Sequence, residues 1–136
     1  MVDRDYKTYE ELGPEVGLAM EETNILLSNK LSDIPDVLSM QIADIEAHHY
    51  RICDLLADAN ATLSMARKRE LEKVNADGKL NVFSKEIYIE ADTVNESTMV
   101  ERLEKRLRSI EKRIETAQSL LAYEREIAKI GGRETT

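Results

Sequence analysis

DVLSMQIADIEAHHYRICDLLADANATLSMARKRELEKV, residues 36–74, is the stretch that decides the fold. Within it Leu38, Ile42, Ile45, His49, Ile52, Leu56, Ala59, Leu63 and Ala66 follow one another at alternating steps of four and three. Those steps return each side chain to the same face of an α-helix, so the strip is one seam that needs a partner helix along its length. Glu70 and Lys73 take the next two strip positions and end it, while Leu71 and Val74 carry the apolar face on, displaced by one residue. Upstream, Ser32-Asp33-Ile34-Pro35 combines a capping side chain with a proline suited to a first helical turn, and Asp36 follows where the helix dipole favours an acid. Downstream, Asn75-Ala76-Asp77-Gly78 is a turn cluster. The pattern predicts a helix over 36–76.

A second strip, Val100, Leu103, Leu107, Ile110, Ile114, Ala117 and Leu121, has the same period. It predicts a helix over 95–130, opened by a Thr93/Glu96 or Thr98/Glu101 capping box and stopped by Gly131-Gly132 before a tail over 131–136. Two matched strips predict a long antiparallel helical hairpin of coiled-coil type. Pairing about the loop centre places Ala66 near Leu107, Leu63 near Ile110, Ala59 near Ile114 and Leu56 near Ala117. The tip, 77–93, lacks a helical period and holds the β-formers Leu80, Val82, Phe83, Ile87, Tyr88 and Ile89, so it is expected as a β-hairpin around Ser84-Lys85 or as an irregular loop.

Ahead of the hairpin, residues 1–13 read as a polar tail or a docking strand. Gly13-Pro14 reads as a helix start, and Val16, Met20, Thr23 and Leu27 predict a short helix over 14–30, weakened by Gly17. Cys53 and Leu55 flank one strip, and Leu120, Tyr123 and Ile127 the other. The short helix, laid across the base of the hairpin, is expected to cover them, with a homodimer as the other cover. The fold class is all-α, one domain over 1–136.

Composition narrows the function classes. The chain of 136 residues carries 27 acidic against 19 basic side chains, a net charge of −8, with one cysteine, five glycines, two prolines and no tryptophan. One cysteine excludes an internal disulfide scaffold, and no apolar run approaches the ~20 residues of a membrane span. The N-terminus is too charged for a signal peptide, so a cytoplasmic protein without membrane association is expected. No glycine-rich phosphate loop or nucleophile elbow occurs. Glu46, His48, His49 and Cys53 form the one metal-like group, but a di-iron bundle needs two Glu-x-x-His pairs and the chain has two histidines in all. His49, opposite the region of Glu124, is expected to be a core histidine or to make a histidine–glutamate contact across the hairpin, and Cys53 to be an inert thiol in an apolar face. Catalytic, metal and cofactor residues are therefore expected to be absent.

Charge is unevenly spread. Residues 1–60 hold 13 acidic and 4 basic side chains, and residues 61–136 hold 14 and 15. Arg67, Lys68, Arg69 and Lys73 end the first long helix; Arg102, Lys105, Arg106, Arg108, Lys112 and Arg113 begin the second. The pairing above brings both groups to one tip and leaves an acidic base. Pairs such as Glu101–Lys105 and Glu104–Arg108 account for part of this as ordinary helix solubility. The remainder makes Arg67, Lys68, Arg102, Lys105, Arg106 and Lys112, ringing Phe83, Ile87 and Tyr88, the candidate partner-binding surface, the alternative being that Phe83, Ile87 and Tyr88 fold back on Leu71, Val74 and Met99 as a small satellite core.

Ile45-Glu46-x-x-x-Tyr50, Leu55-Leu56-Ala57-x-Ala59 and Ala66-Arg67-x-x-Glu70-Leu71 precede the turn; Glu101-x-Leu103-x-Lys105-Arg106 and Ala117-x-x-Leu120-Leu121-x-x-x-Arg125-Glu126 follow it. Over residues 36–126 this layout resembles small helical-hairpin proteins of bacteriophages encoded among early or recombination genes. The resemblance implies a viral accessory protein in a bacterial cytoplasm, with no catalytic residues to carry over. The leading expectation is a non-catalytic protein-interaction protein, monomeric or homodimeric. One alternative is an acidic inhibitor of a host defence or nucleic-acid enzyme that mimics nucleic-acid phosphate, as anti-CRISPR proteins do. The other is a DNA recombination or replication accessory factor using the basic tip.

Overall fold

The computed structural model describes residues 7–78 and 81–134. Among them no strand occurs, and the chain is all-α in four helices: α1 (Tyr9–Ser28), α2 (Pro35–Asp77), α3 (Val82–Asp92) and α4 (Val94–Glu134). Of the tails expected over 1–13 and 131–136, residues 1–6 and 135–136 lie outside the described residues, as does Leu80 of the expected tip.

α2 and α4 lie alongside in opposite directions. Leu38 and Ile42, early in α2, pack with Ala117, Leu120 and Leu121, late in α4. His49 Nε2 stands 3.7 Å from Glu111 Oε1, and Lys85 Nζ of α3 donates to Asn75 Oδ1 at 3.0 Å. In both of these pairs the residue numbers sum to 160, whereas the pairing of Ala66 with Leu107 requires 173. The expected register is therefore displaced by 13 residues, close to two heptads. His49 meets Glu111 and not the region of Glu124.

The cause is the segment expected as a β-hairpin or loop. Residues 82–92 form helix α3 and run back along α2, opposite in direction to it. Gly78, at φ 68, ends α2 in the left-handed region that a Cβ disfavours. Asn81 then caps α3, its side chain accepting from Ser84 N at 2.8 Å. A side-chain cap and one flanking surface outweigh the β-propensity of Val82, Ile87 and Ile89, which depends strongly on context. Thr93 separates α3 from α4, and its hydroxyl donates back to the Ile89 carbonyl at 2.7 Å. The expected Thr93/Glu96 capping box is not what opens α4.

α1 starts at Tyr9, not at Pro14. Thr8 is its cap, accepting from Glu11 N at 3.2 Å while its hydroxyl donates to Glu11 Oε1 at 3.2 Å. Pro14 sits inside the helix, where it removes the bond to the Glu10 carbonyl. Burial of Leu12, Val16, Ala19, Thr23 and Leu26, at steps of four and three, holds the helix across that defect.

Nor does α1 cross the base of the hairpin. It runs lengthwise over the middle of the α2–α4 pair, antiparallel to α2. At its start the Thr62 hydroxyl donates to the Lys7 carbonyl. Further along, Arg51 pairs with Glu22, Arg106 Nη1 donates to Asn24 Oδ1 at 3.2 Å, and Arg113 donates to the Asn29 carbonyl. One core results, joining Leu12, Val16 and Leu26 of α1 to Ile52, Leu55 and Leu63 of α2 and to Met99, Leu103 and Ile110 of α4. Fully burying one such aliphatic side chain contributes about 1.5–3 kcal/mol. Leu55 is thus covered as expected, but Tyr123 and Ile127 lie past the end of α1 and stay exposed.

The α1–α2 loop is fixed by Gln41, which accepts from Ser32 N at 2.8 Å and donates to the Lys30 carbonyl at 3.1 Å. α4 continues through Gly131, where a stop was expected. Glycine in a helix costs about 1 kcal/mol relative to alanine but does not forbid it, and Gly131 has no positive φ.

Candidate functional surfaces

α3 is the least packed helix of the structure. None of its residues is buried; Ser84, Lys85 and Ile89 are half-covered on the side toward α2. Val82, Phe83, Ile87 and Tyr88 face solvent, Phe83 with 71% of its surface open. Phe83 and Ile87 are one turn apart and share a face, while Tyr88 lies about 100° further round the helix. Leu71 of α2 and Val94 of α4 are exposed near the C-terminal end of α3.

A separate groove lies between α1 and α4. It is lined by Met20, Asn24 and Leu27 from α1 and by Arg102, Lys105, Arg106 and Ser109 from α4, encloses about 350 Å³, and has no carboxylate in its lining. Half-buried Met20 and Leu27 make its floor. At Arg102 it meets a smaller notch of about 160 Å³ lined by Tyr9, Gly13, Val16, Gly17, Asn95, Thr98 and Met99. A Cβ added at Gly13 or Gly17 would meet nothing within 4 Å. Arg102, Lys105, Arg106 and Ser109 recur at steps of three, one and three, so they line one side of α4. Arg106 reaches Asn24, whereas Arg102 and Lys105 make no ion pair within 4 Å among the described residues. The expected pairs Glu101–Lys105 and Glu104–Arg108 are not formed.

The nine residues expected to make one surface are divided. Phe83, Ile87 and Tyr88 lie on α3. Arg102, Lys105 and Arg106 lie in the α1–α4 groove, beside the middle of α2. Arg67 lines a hollow at the α3–α4 junction together with Glu90, Thr93, Val94, Ser97 and Glu101, so acidic side chains share its surroundings. Lys68 and Lys112 are exposed, on α2 and α4 respectively. The single basic tip is overturned by the register: with α3 folded back along the end of α2, the cations at the start of α4 lie about two heptads further along than expected. Sequence reasoning missed Met20, Asn24, Leu27 and Ser109, which become neighbours of the cations only through the lengthwise placement of α1. The Thr8-x-x-Glu11 box was the available signal that α1 starts early enough to lie there.

The histidine–cysteine group is a local contact. Cys53 Sγ lies 3.9 Å from His49 Nδ1, and the other side of that imidazole faces Glu111. Burial, reinforced by the carboxylates of Glu111 and Asp54, pushes the Cys53 thiol above its ordinary value. A nucleophilic cysteine needs the opposite shift. His48 Nε2 is 3.8 Å from Asp44, while Glu46 is exposed. Among the described residues no group of three or more His, Cys, Asp or Glu side chains is arranged to hold a metal ion. No helix among them is long and apolar enough to cross a membrane.

Comparison of the chain with protein-family models, curated proteins and solved structures finds no match.

Proposed function

We propose that this is a non-catalytic protein-interaction protein, a long helical hairpin of coiled-coil type that presents α3 to a protein partner. The observation that supports it is the solvent-facing group of Phe83, Ile87 and Tyr88 on a helix with no buried residue. Large apolar side chains grouped on an open surface are the usual anchors of a protein contact, and Phe83 and Ile87, one turn apart, fit one apolar groove with Tyr88 at its edge. A triple variant, Phe83→Ala, Ile87→Ala and Tyr88→Ala, keeps helix propensity and truncates no buried residue. Tagged wild-type and variant proteins are compared by capture from bacterial lysate at physiological salt, read by mass spectrometry. Loss of a specific species with unchanged melting supports the proposal; identical capture by both proteins refutes it.

A second reading has an observation of its own. Arg102 and Lys105, without a counter-ion in a groove free of carboxylates, favour an anionic ligand, which in the accessory-factor alternative is single-stranded DNA. Steps of three to four residues along a helix space cations by about 5–6 Å, near the phosphate spacing of an extended strand. Arg102→Glu with Lys105→Glu and Arg106→Glu tests it: oligonucleotide binding that falls steeply with salt and vanishes in the variant is the expected result. The acidic-mimic alternative draws less support, since Glu22 is paired with Arg51 and Asp44 lies beside His48.

A further inference from the structure

The groove that α1 fills does not end where α1 ends. On α2 its wall is traced by Thr62, Leu55, His48, Gln41 and Ile34, each seven residues from the next and therefore on nearly one face. Thr62 bonds the Lys7 carbonyl, Leu55 packs in the shared core, His48 lies beside Glu22, Ile25 and Leu26, and Gln41 holds the loop after α1. On α4 the matching row is Met99, Arg106, Arg113, Leu120 and Ile127. Met99 faces Tyr9 and Val16, Arg106 and Arg113 bond Asn24 and Asn29, and Leu120, like Leu31 of the loop, packs against the cluster of Leu38, Ile42 and Ala117. The cover stops there. The next members of the two rows, Ile34 and Ile127, are 56% and 46% exposed, with Tyr123 at 61% and Ile130 at 51% on either side of Ile127.

α4 also outruns its partner. The register places Arg125 opposite Pro35, the first residue of α2, so the last nine residues of α4 extend about 13 Å beyond it. Tyr123, Ile127 and Ile130, at steps of four and three, repeat the period of the seam that α4 turns toward α2. The complement of such a strip is another helix with a strip of the same period.

We propose that this end of the molecule is a homodimer contact, in which the projecting end of α4 from one copy lies antiparallel against the same segment of the other, in the open continuation of the α1 groove. Charge singles out a second copy as the occupant. The whole chain carries −8, yet residues 120–134 hold Glu124, Glu126 and Glu134 against Arg125, Lys129 and Arg133 and are neutral, and with Lys30, Asp33 and Asp36 around Ile34 and Val37 the face as a whole carries only −1. Two acidic molecules repel least where they meet through a nearly neutral face, and a partner steered by charge finds little net field to follow there. A two-fold axis brings identical strips together and covers both in one step. Ile34, Val37, Tyr123, Ile127 and Ile130 expose roughly 450 Å² per copy, so a dimer that covers them fully buries about 900 Å² from them alone, just under the roughly 1,000 Å² of a specific contact and in the range of a weak, reversible one.

The test is the mass of the full chain by light scattering or sedimentation from about 2 to 200 µM, alongside an Ile127→Asp, Ile130→Asp variant. The wild type is expected to approach twice 15.5 kDa as concentration rises, and the variant to remain monomeric throughout with an unchanged circular-dichroism spectrum and melting temperature. A wild type that stays monomeric at the top of the range overturns the proposal. So does a dimer that survives the double substitution but is lost in the Phe83→Ala, Ile87→Ala, Tyr88→Ala variant, because self-association would then belong to α3. Should the aspartates disturb folding, Ile127→Ser with Ile130→Ser repeats the comparison, and dimerisation undiminished in that variant also overturns it.

Discussion

Replacing Leu12 by alanine tests whether α1 is an integral third helix of the core. Leu12 has no exposed surface and packs in the cluster that joins α1 to α2 and α4. Removing its isobutyl group forfeits the transfer free energy and leaves a cavity, about 3 kcal/mol together, with 2–5 kcal/mol as the range for buried leucines. Against a total stability of roughly 5–15 kcal/mol this is a large fraction. For a chain of this length each kcal/mol displaces melting by about 3–5 °C, so a fall of about 9–15 °C is expected. Urea unfolding followed by circular dichroism at 222 nm gives the decisive reading. The midpoint is expected to fall with the slope unchanged, since α1 unfolds together with the hairpin. Leu18→Ala, on the exposed face of the same helix, is the control and is expected to cost under about 0.5 kcal/mol. A loss below about 1 kcal/mol at Leu12, or a separate early transition, would refute the packing of α1 described above.

Gly17→Ala is expected to stabilise the protein by about 0.5–1 kcal/mol, because the site is helical and the added Cβ meets nothing within 4 Å; a lower melting temperature would count against it. Gln41→Ala removes both bonds that hold the α1–α2 loop and is expected to lower stability by about 1–2 kcal/mol in chemical denaturation. Cys53 is expected to react more slowly with iodoacetamide in the folded protein than in urea at pH 8. Because burial raises its folded value above that of the unfolded thiol, its contribution to stability is complete below about pH 8.5 and is lost as pH rises through the folded value; equal alkylation rates in the two states would contradict the raised value.

Much of the architecture is legible in the heptad strips. Ile52, Leu103, Ile110 and Ala117 lie at strip positions and are fully buried. The end of α2 at Gly78 is legible for a local reason, since a turn cluster ending in glycine supplies the left-handed residue that a C-terminal cap needs. α3 is not legible in the same way. Its sequence lacks a consistent apolar period because no face of it is buried, so the β-branched and aromatic residues there carried the reading. The start of α1 was obscured by Pro14, a strong local signal outweighed by five buried positions and a side-chain cap at Thr8.

The register failure and the surface failure are one error. A heptad seam is nearly unchanged by a slide of seven or fourteen residues, since such a slide brings apolar strip positions back opposite apolar strip positions. The strip names the seam residues, and the connecting segment alone chooses which of them face each other. Here that choice rests on Gly78, Asn81 and the Lys85–Asn75 bond, three local features within eleven residues. A core-facing residue is insensitive to the slide, so Ile52 is buried in either register. An exposed cation is not, because its neighbours come from the opposite helix. Arg102, Lys105 and Arg106 therefore move from an expected ring around Phe83 to a groove beside α1, although each remains on the solvent side of α4. Surface function in a long helical hairpin is set by its shortest segment, and the charge of the α1–α4 groove and the exposure of α3 are two consequences of that one turn.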